Sequence, residues 1–128
     1  MAPAGYDVKD LPKDIEGLYN EARVSASSGA PTASVLSLRK LLMNIAVNKG
    51  APVNGTFQNY VDYLASKGYV PPDGKGWVDH IRNKGNDANH EIALMSPSDA
   101  HELIDFAGML LRFIYEYPSR VPKKPVNP

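Results

Sequence analysis

The hydrophobic positions of this chain recur every three or four residues, which is the spacing of an amphipathic helix. One stripe follows Leu11-Pro12 and ends at Ser27-Ser28-Gly29. A proline at a helix start costs no hydrogen bond. The members of this stripe are Ile15, Leu18, Tyr19, Ala22 and Ala26. A second stripe begins at Pro31-Thr32 and ends at Lys49-Gly50, a typical C-terminal stop; its members are Val35, Leu38, Leu42, Ile45 and Ala46. The pattern therefore predicts two helices joined by a short turn.

Two further helices are predicted in the middle of the chain. Thr56 is a suitable N-cap for a short helix that closes at Lys67-Gly68, with Phe57, Tyr60, Val61 and Leu64 along one face. The composition of residues 71–74 (Pro-Pro-Asp-Gly) indicates a loop. A fourth helix is expected from about Lys75 to Glu91, with its buried side formed by Trp77, Ile81 and Ala88.

The fifth helix has the clearest start signal. Ser96 is expected to be its N-cap, Pro97 its first residue and Asp99 the partner in a capping box. Its apolar face comprises Ala100, Leu103, Ile104, Ala107, Leu110, Leu111, Ile114 and Tyr115, and we expect it to stop before Pro118. No segment alternates in the manner of a strand. The fold class that follows is all-α, an antiparallel bundle of four main helices plus a short helix.

A chain of 128 residues fits one domain. Residues 1–10 are small and polar, which predicts a flexible arm or linker, residues 11–118 form the helical domain, and residues 119–128 form a disordered tail rich in proline and lysine. No signal peptide is recognisable, and the best apolar run, residues 103–115, contains Asp105 and Arg112, so it is not expected to span a bilayer. The expected location is the cytoplasm, with no membrane association.

Charge and cysteine content narrow the function classes. Lys plus Arg and Asp plus Glu both number 14, so the net charge is zero and gives no support for a general coat on DNA or RNA. The absence of cysteine excludes disulfides and thiol nucleophiles. His80 and His90 are ten residues apart on one predicted helix and His101 lies elsewhere, so we expect no metal site and no cofactor.

The most distinctive feature is the polar stretch from Arg82 to His90. Each residue of an α-helix turns by about 100°, which places Arg82, Asn86, Asn89 and His90 on one stripe about 12 Å long. Gly85 lies within the same predicted helix, where it costs about 1 kcal/mol relative to alanine. Glycine at such a position often permits close approach to a neighbouring backbone.

Two interpretations of this stripe stay open. As a site, an arginine can hold a phosphate in two hydrogen bonds and a histidine can transfer a proton near neutral pH. Arg82 and His90 are then the catalytic candidates, and the binding candidates are Asn86, Asn89, Asp87, Lys84 and, from the second helix, Arg39. As a structural feature, the same stripe is a buried hydrogen-bond network or a solvated face, which is the more common case.

Several segments together resemble one bacterial family of domains of unknown function within the HEPN superfamily, the higher eukaryote and prokaryote nucleotide-binding helical domains. The resemblance covers roughly residues 11–120 and rests on residues 14–22, Leu38-Arg39-Lys40-Leu41-Leu42, Gly68-Tyr69-Val70, residues 77–91 and residues 114–118. Its most specific part is Ile-Arg, two residues, Gly-Asn, three residues and His, at residues 81–90.

The resemblance implies a bundle of four main helices that is often dimeric. Relatives occur alone, behind a zinc-binding segment, or fused to restriction and defence proteins, so this chain can be part of a longer protein. Active HEPN ribonucleases carry an arginine followed a few residues later by a histidine, which here points to Arg82 and His90. Seven residues separate the two, a longer spacing than usual, and Asn86 lies nearer the usual arginine position. A neutral amide cannot replace a guanidinium at a phosphate.

Two functions are therefore expected. The first is a non-catalytic HEPN-like module that forms a homodimer or binds a protein partner or a nucleotide or RNA ligand, linked to nucleic-acid metabolism or phage defence. The second is a metal-independent endoribonuclease that uses Arg82 and His90.

Overall fold

The computed structural model describes residues 3–70, 76, 79–81, 83–84 and 94–122. Within them the chain is helical and contains no strand, which confirms the all-α class. The helices are α1 (Lys13–Ser27), α2 (Pro31–Asn48), α3 (Phe57–Ser66), α4 (Pro97–Leu111) and α5 (Tyr117–Arg120). A π-helical turn, Arg112–Glu116, joins α4 to α5.

The predicted helix starts are confirmed at both capped positions. The Thr56 hydroxyl accepts the Asn59 N–H while the Asn59 side chain accepts the Thr56 N–H. Ser96 and Asp99 exchange the same pair of bonds at the start of α4, with Pro97 in its first turn. These reciprocal bonds satisfy backbone donors that a helix start otherwise leaves without partners.

The end of the last helix differs from the prediction. The chain does not leave helical geometry before Pro118 but continues to Arg120. Inside the preceding π-turn, the Tyr117 N–H bonds to the Arg112 carbonyl, five residues back. Pro118 therefore falls in the first turn of a new helical segment, where its missing N–H is not required.

Helix α2 is the centre of the bundle, because it contacts α1, α3 and α4. All members of its predicted stripe are buried, together with Leu41. Phe57, Tyr60, Val61 and Leu64 of α3 are buried as well. The apolar face of α4 is buried from Ala100 to Leu111.

The described part of the fourth predicted helix is helical at residues 76, 79–81 and 83–84. Ile81 is fully buried, as the pattern predicts. Trp77 and Ala88, the other two predicted core positions of this helix, lie outside the described residues.

The predicted N-terminal arm lies against the bundle in the structure. Residues 3–10, called the arm below, run without regular secondary structure across α1, α4 and the π-turn. Val8 is buried in the core cluster. No helix of the described residues is long and apolar enough to cross a membrane.

Candidate functional site

The whole predicted polar stripe, Arg82, Asn86, Asn89 and His90, lies outside the described part of the chain. The binding candidate Asp87 lies outside it as well. The grouping of the stripe residues on one helical face stays a prediction. Two candidate binding residues, Lys84 and Arg39, are described, and they have different surroundings.

Lys84 lies against the start of α4. Its ammonium is 3.0 Å from the Asp99 carboxylate, and both side chains are largely shielded from solvent. The pKa of Asp99 is held below its usual value, first by the hydrogen bond from the Ser96 backbone N–H and, against some desolvation, by Lys84. Asp99 therefore serves both as a helix cap and as the partner of Lys84. Lys84 links the polar stretch to α4.

His80 makes a parallel link one helical turn earlier. Its Nε2 lies 2.6 Å from Oε2 of Glu102 on α4. The two pairs, His80 with Glu102 and Lys84 with Asp99, involve residues that precede and follow the buried Ile81 in the sequence. Together they hold His80 and Lys84 against the first two turns of α4 and set the register of these residues along that helix.

Arg39 is half-buried on α2, with its guanidinium 5.2 Å from the centre of the Phe57 ring. The stacking is a cation–π contact with the start of α3. The buried Nε of Arg39 has no hydrogen-bond partner within the described residues. Arg39 and Lys84 thus contact the starts of two different helices, and no contact between the two joins them into one described site.

Two recesses occur on the described surface, and neither resembles an Arg–His centre. One, of about 310 Å³, lies between the start of α1 and the end of α2, and is lined by Pro12, Lys13, Asp14, Ile15, Asn44, Val47 and Asn48. The other, of about 320 Å³, is lined by Ala51, Pro52, Asn54, Gly55, Asn59, Tyr60 and Tyr63. Arginine and histidine are absent from both linings. Among the described residues, no three His, Asp or Glu side chains are grouped as metal ligands would be.

A charged cluster beneath the arm was not predicted from the sequence. Arg23 and Glu116 are 7% and 3% exposed, an unusual burial for charged side chains. Arg23 donates to the Ala4 carbonyl over 2.8 Å and pairs with Asp7 at 3.1 Å. Glu116 accepts the Lys9 N–H over 2.8 Å.

The tyrosines around this cluster are shielded as well. Tyr19 is 1% exposed and its hydroxyl donates to the Tyr6 carbonyl. Burial raises the pKa of Tyr19 to about 12, although the Arg23 charge opposes the shift. The Arg112 guanidinium lies 3.8 Å from the centre of the Tyr6 ring. One feature of the sequence indicates the charged cluster beneath the arm: Arg23 directly follows Ala22, at the edge of the apolar stripe of α1.

An apolar stripe that runs from the π-turn into α5 and Val121 is open to solvent. Its members are Phe113, Tyr117 and Val121, which are 51%, 44% and 66% exposed. The Phe113 and Tyr117 rings meet edge to face with centroids 5.9 Å apart. We call these three residues the exposed stripe. Exposed aromatic side chains in one group are typical of interaction surfaces.

Comparison with known proteins gives one positive result. Residues 20–126 match a family described as a domain of unknown function, DUF4145. No curated protein and no solved structure matches the chain.

Proposed function

Since the chain belongs to the DUF4145 family, whose function is unknown, we propose from its own geometry that it is a non-catalytic module that forms a homodimer through the exposed stripe. The observation that carries the proposal is the aromatic pair of Phe113, in the π-turn, and Tyr117, at the start of α5, whose rings are in contact and open to water. Burial of aromatic rings is a major source of free energy at protein interfaces. Isolated exposed apolar residues are common and need no partner, but these two rings contact each other, and the exposed Val121 follows four residues after Tyr117.

The surroundings of the stripe favour a second copy of the chain as the partner. Most homodimers use one patch twice, related by a twofold axis. A twofold axis through Phe113 would align the two copies antiparallel. The exposed Asp105 lies eight residues before Phe113, and the exposed Arg120 lies seven residues after it. At about 1.5 Å per residue, Asp105 lies about 12 Å and Arg120 about 10.5 Å from the axis. Asp105 of each copy would then face Arg120 of the other.

The described residues of the fourth predicted helix support a non-catalytic role. Lys84 pairs with Asp99, and His80 pairs with Glu102. An ammonium that is held by a helix-capping carboxylate is poorly suited to bind a phosphate. The neutral Asn86, near the place where ribonucleases of the HEPN type carry an arginine, points in the same direction.

The module is proposed to be a HEPN-type bundle. Its order of packed helices and the polar stretch of residues 81–90 support this assignment, which also brings a link to nucleic-acid metabolism or phage defence. A protein partner of the dimer would bind at the polar stretch, and the exposed stripe would bring two such stretches into one assembly.

The dimer is tested by removing the aromatic pair. Phe113→Ser and Tyr117→Ser should each shift the dimer towards monomer in analytical ultracentrifugation. Val53→Ser is the matched control, because Val53 is 73% exposed in the loop before α3 and its replacement should leave the mass unchanged. An equal effect of all three variants, or no effect of the first two, would remove the stripe as the interface.

The non-catalytic part of the proposal has a separate test. Purified protein is incubated with structured and single-stranded RNA in the presence of a chelator. We expect the RNA to stay intact. Cleavage by the wild type that His90→Ala abolishes would establish the ribonuclease instead.

A further inference from the structure

The arm occupies a groove that recognises mainly its backbone. Five backbone groups of the arm form hydrogen bonds with Arg23, Tyr19, Arg112 and Glu116 of the bundle. These groups are the Ala4 N–H and carbonyl, the Tyr6 and Asp7 carbonyls, and the Lys9 N–H. The groove belongs to α1, α4 and the π-turn, and not to the arm. A segment bound through its backbone contacts can be replaced by any equivalent segment.

Side chains add a short sequence requirement. The Tyr6 ring lies under the Arg112 guanidinium, and Val8 enters the core. Gly108 leaves room for Tyr6, since a Cβ there would lie 2.9 Å from Tyr6 Cζ and 2.8 Å from the Tyr19 hydroxyl. The groove therefore fits a segment with an aromatic residue two positions before a small aliphatic one. A glycine must precede the aromatic residue, because Gly5 has a φ of 75° and a Cβ there would lie 2.5 Å from Ile104 Cγ2. The arm itself carries this pattern, and so does the arm of every other copy of the chain.

The connection between the arm and α1 is short and less than ideal. Asp10 has a φ of 65°, in the left-handed region that residues other than glycine rarely adopt. Only Leu11 and Pro12 separate it from α1. Short connections of this kind favour exchange of the segment between copies, because the contacts stay the same while the connection relaxes.

We propose that the groove takes the arm of a second copy, so that the homodimer exchanges its arms. The inference rests on the proposed homodimer and names a second contact within it. The π-turn carries both surfaces: Arg112 and Glu116 contact the arm, while Phe113 belongs to the exposed stripe. Two copies that pack through their stripes would bring each arm close to the groove of its partner.

Complementation between two defective chains tests the exchange. Tyr6→Ala leaves the groove intact and damages the arm, whereas Gly108→Ala leaves the arm intact and crowds the groove. In an exchanged heterodimer, one groove is intact and holds an intact arm. After the variants are mixed and warmed below their melting temperatures, we expect a new calorimetric transition at least about 3 °C above that of either variant alone. Two differently tagged preparations of Tyr6→Ala, mixed in the same way, contain no intact arm and should show no new transition.

The masses of the two variants separate the possible failures. If each variant is a dimer and the mixture melts as the sum of its parts, the exchange is refuted and the homodimer stands. If the variants and the wild type are all monomeric and no new transition appears, both proposals fail.

A second measurement covers the case in which Gly108→Ala does not fold. A fluorescent peptide of residues 3–12 is titrated into full-length Tyr6→Ala and into the wild type. Because its own arm binds the groove more weakly, Tyr6→Ala should bind the peptide with an affinity at least tenfold higher than the wild type does. Equal affinities, or no binding to either chain, would overturn the exchange.

Discussion

The ammonium of Lys84 lies 3.0 Å from the carboxylate of Asp99, and this pair joins the polar stretch to the capped start of α4. The same carboxylate accepts the Ser96 N–H. One acidic side chain thus completes a helix cap and holds a neighbouring helix in place.

The first prediction concerns this pair. Lys84→Ala should lower the free energy of unfolding by about 0.5–1 kcal/mol, the range for ion pairs that are partly open to solvent. Urea denaturation followed by circular dichroism measures the change. Lys40→Ala is the control, because Lys40 is exposed on α2 and its loss should have little effect. A Lys84→Ala variant that is indistinguishable from the control would show that the contact contributes nothing to stability.

The second prediction concerns the cap of α4. Ser96→Ala removes the acceptor of the Asp99 N–H and should cost about 1 kcal/mol. Ser98→Ala makes the same chemical change two residues later, at an exposed position inside the first turn, and should stay within about 0.5 kcal/mol of the wild type. Thermal denaturation of both variants checks the difference, and equal losses would contradict a capping role.

The third prediction compares two glycines inside helices. Gly108→Ala should destabilise the protein by about 1–3 kcal/mol, because the new methyl group crowds the Tyr19 hydroxyl and the Tyr6 ring. Gly17→Ala on α1 should instead stabilise it by up to about 1 kcal/mol, since no atom lies within 4 Å of the added Cβ. Chemical denaturation measures both changes. A stabilising Gly108→Ala would mean that the arm does not press on this glycine.

The fourth prediction is a pH dependence. The folded-state pKa of Tyr19 is about 12, above the ordinary value of 10.0 for a tyrosine hydroxyl. Between pH 10 and 12, Tyr19 therefore keeps its proton in the native state and loses it in the unfolded state. The free energy of unfolding falls as the pH rises through this range. Tyr19→Phe should be less stable at neutral pH, because the bond to the Tyr6 carbonyl is lost, but its stability should decline less steeply from pH 10 to 12. Parallel curves for variant and wild type would contradict the raised pKa.

The hydrophobic pattern predicted most of the fold because the buried positions of α1, α2, α3 and α4 recur with helical spacing. Caps at Thr56 and Ser96 are local signals, and the structure has them where the sequence indicates. The predicted end of the last helix before Pro118 is wrong, because the chain continues through a π-turn to Arg120. This π-turn packs against the arm and contains the buried Glu116. Neither is visible in the local sequence.

The site was predicted less completely than the fold. Lys84 was correctly placed on a helix, but its partner Asp99 lies across a loop, and pairing between distant segments has no signature in one sequence. The groove under the arm escaped prediction for a similar reason. Its residues come from α1, α4 and the π-turn, and the arm itself is too polar to suggest that Val8 is buried.

The central claim is that the chain assembles as a homodimer through its exposed stripe. Its most direct test is the mass of the wild-type protein in sedimentation equilibrium over a range of micromolar concentrations. The account predicts a species of twice the 14.0 kDa chain mass that Phe113→Ser converts to the single-chain mass. A wild type that sediments as one chain at every concentration would contradict it.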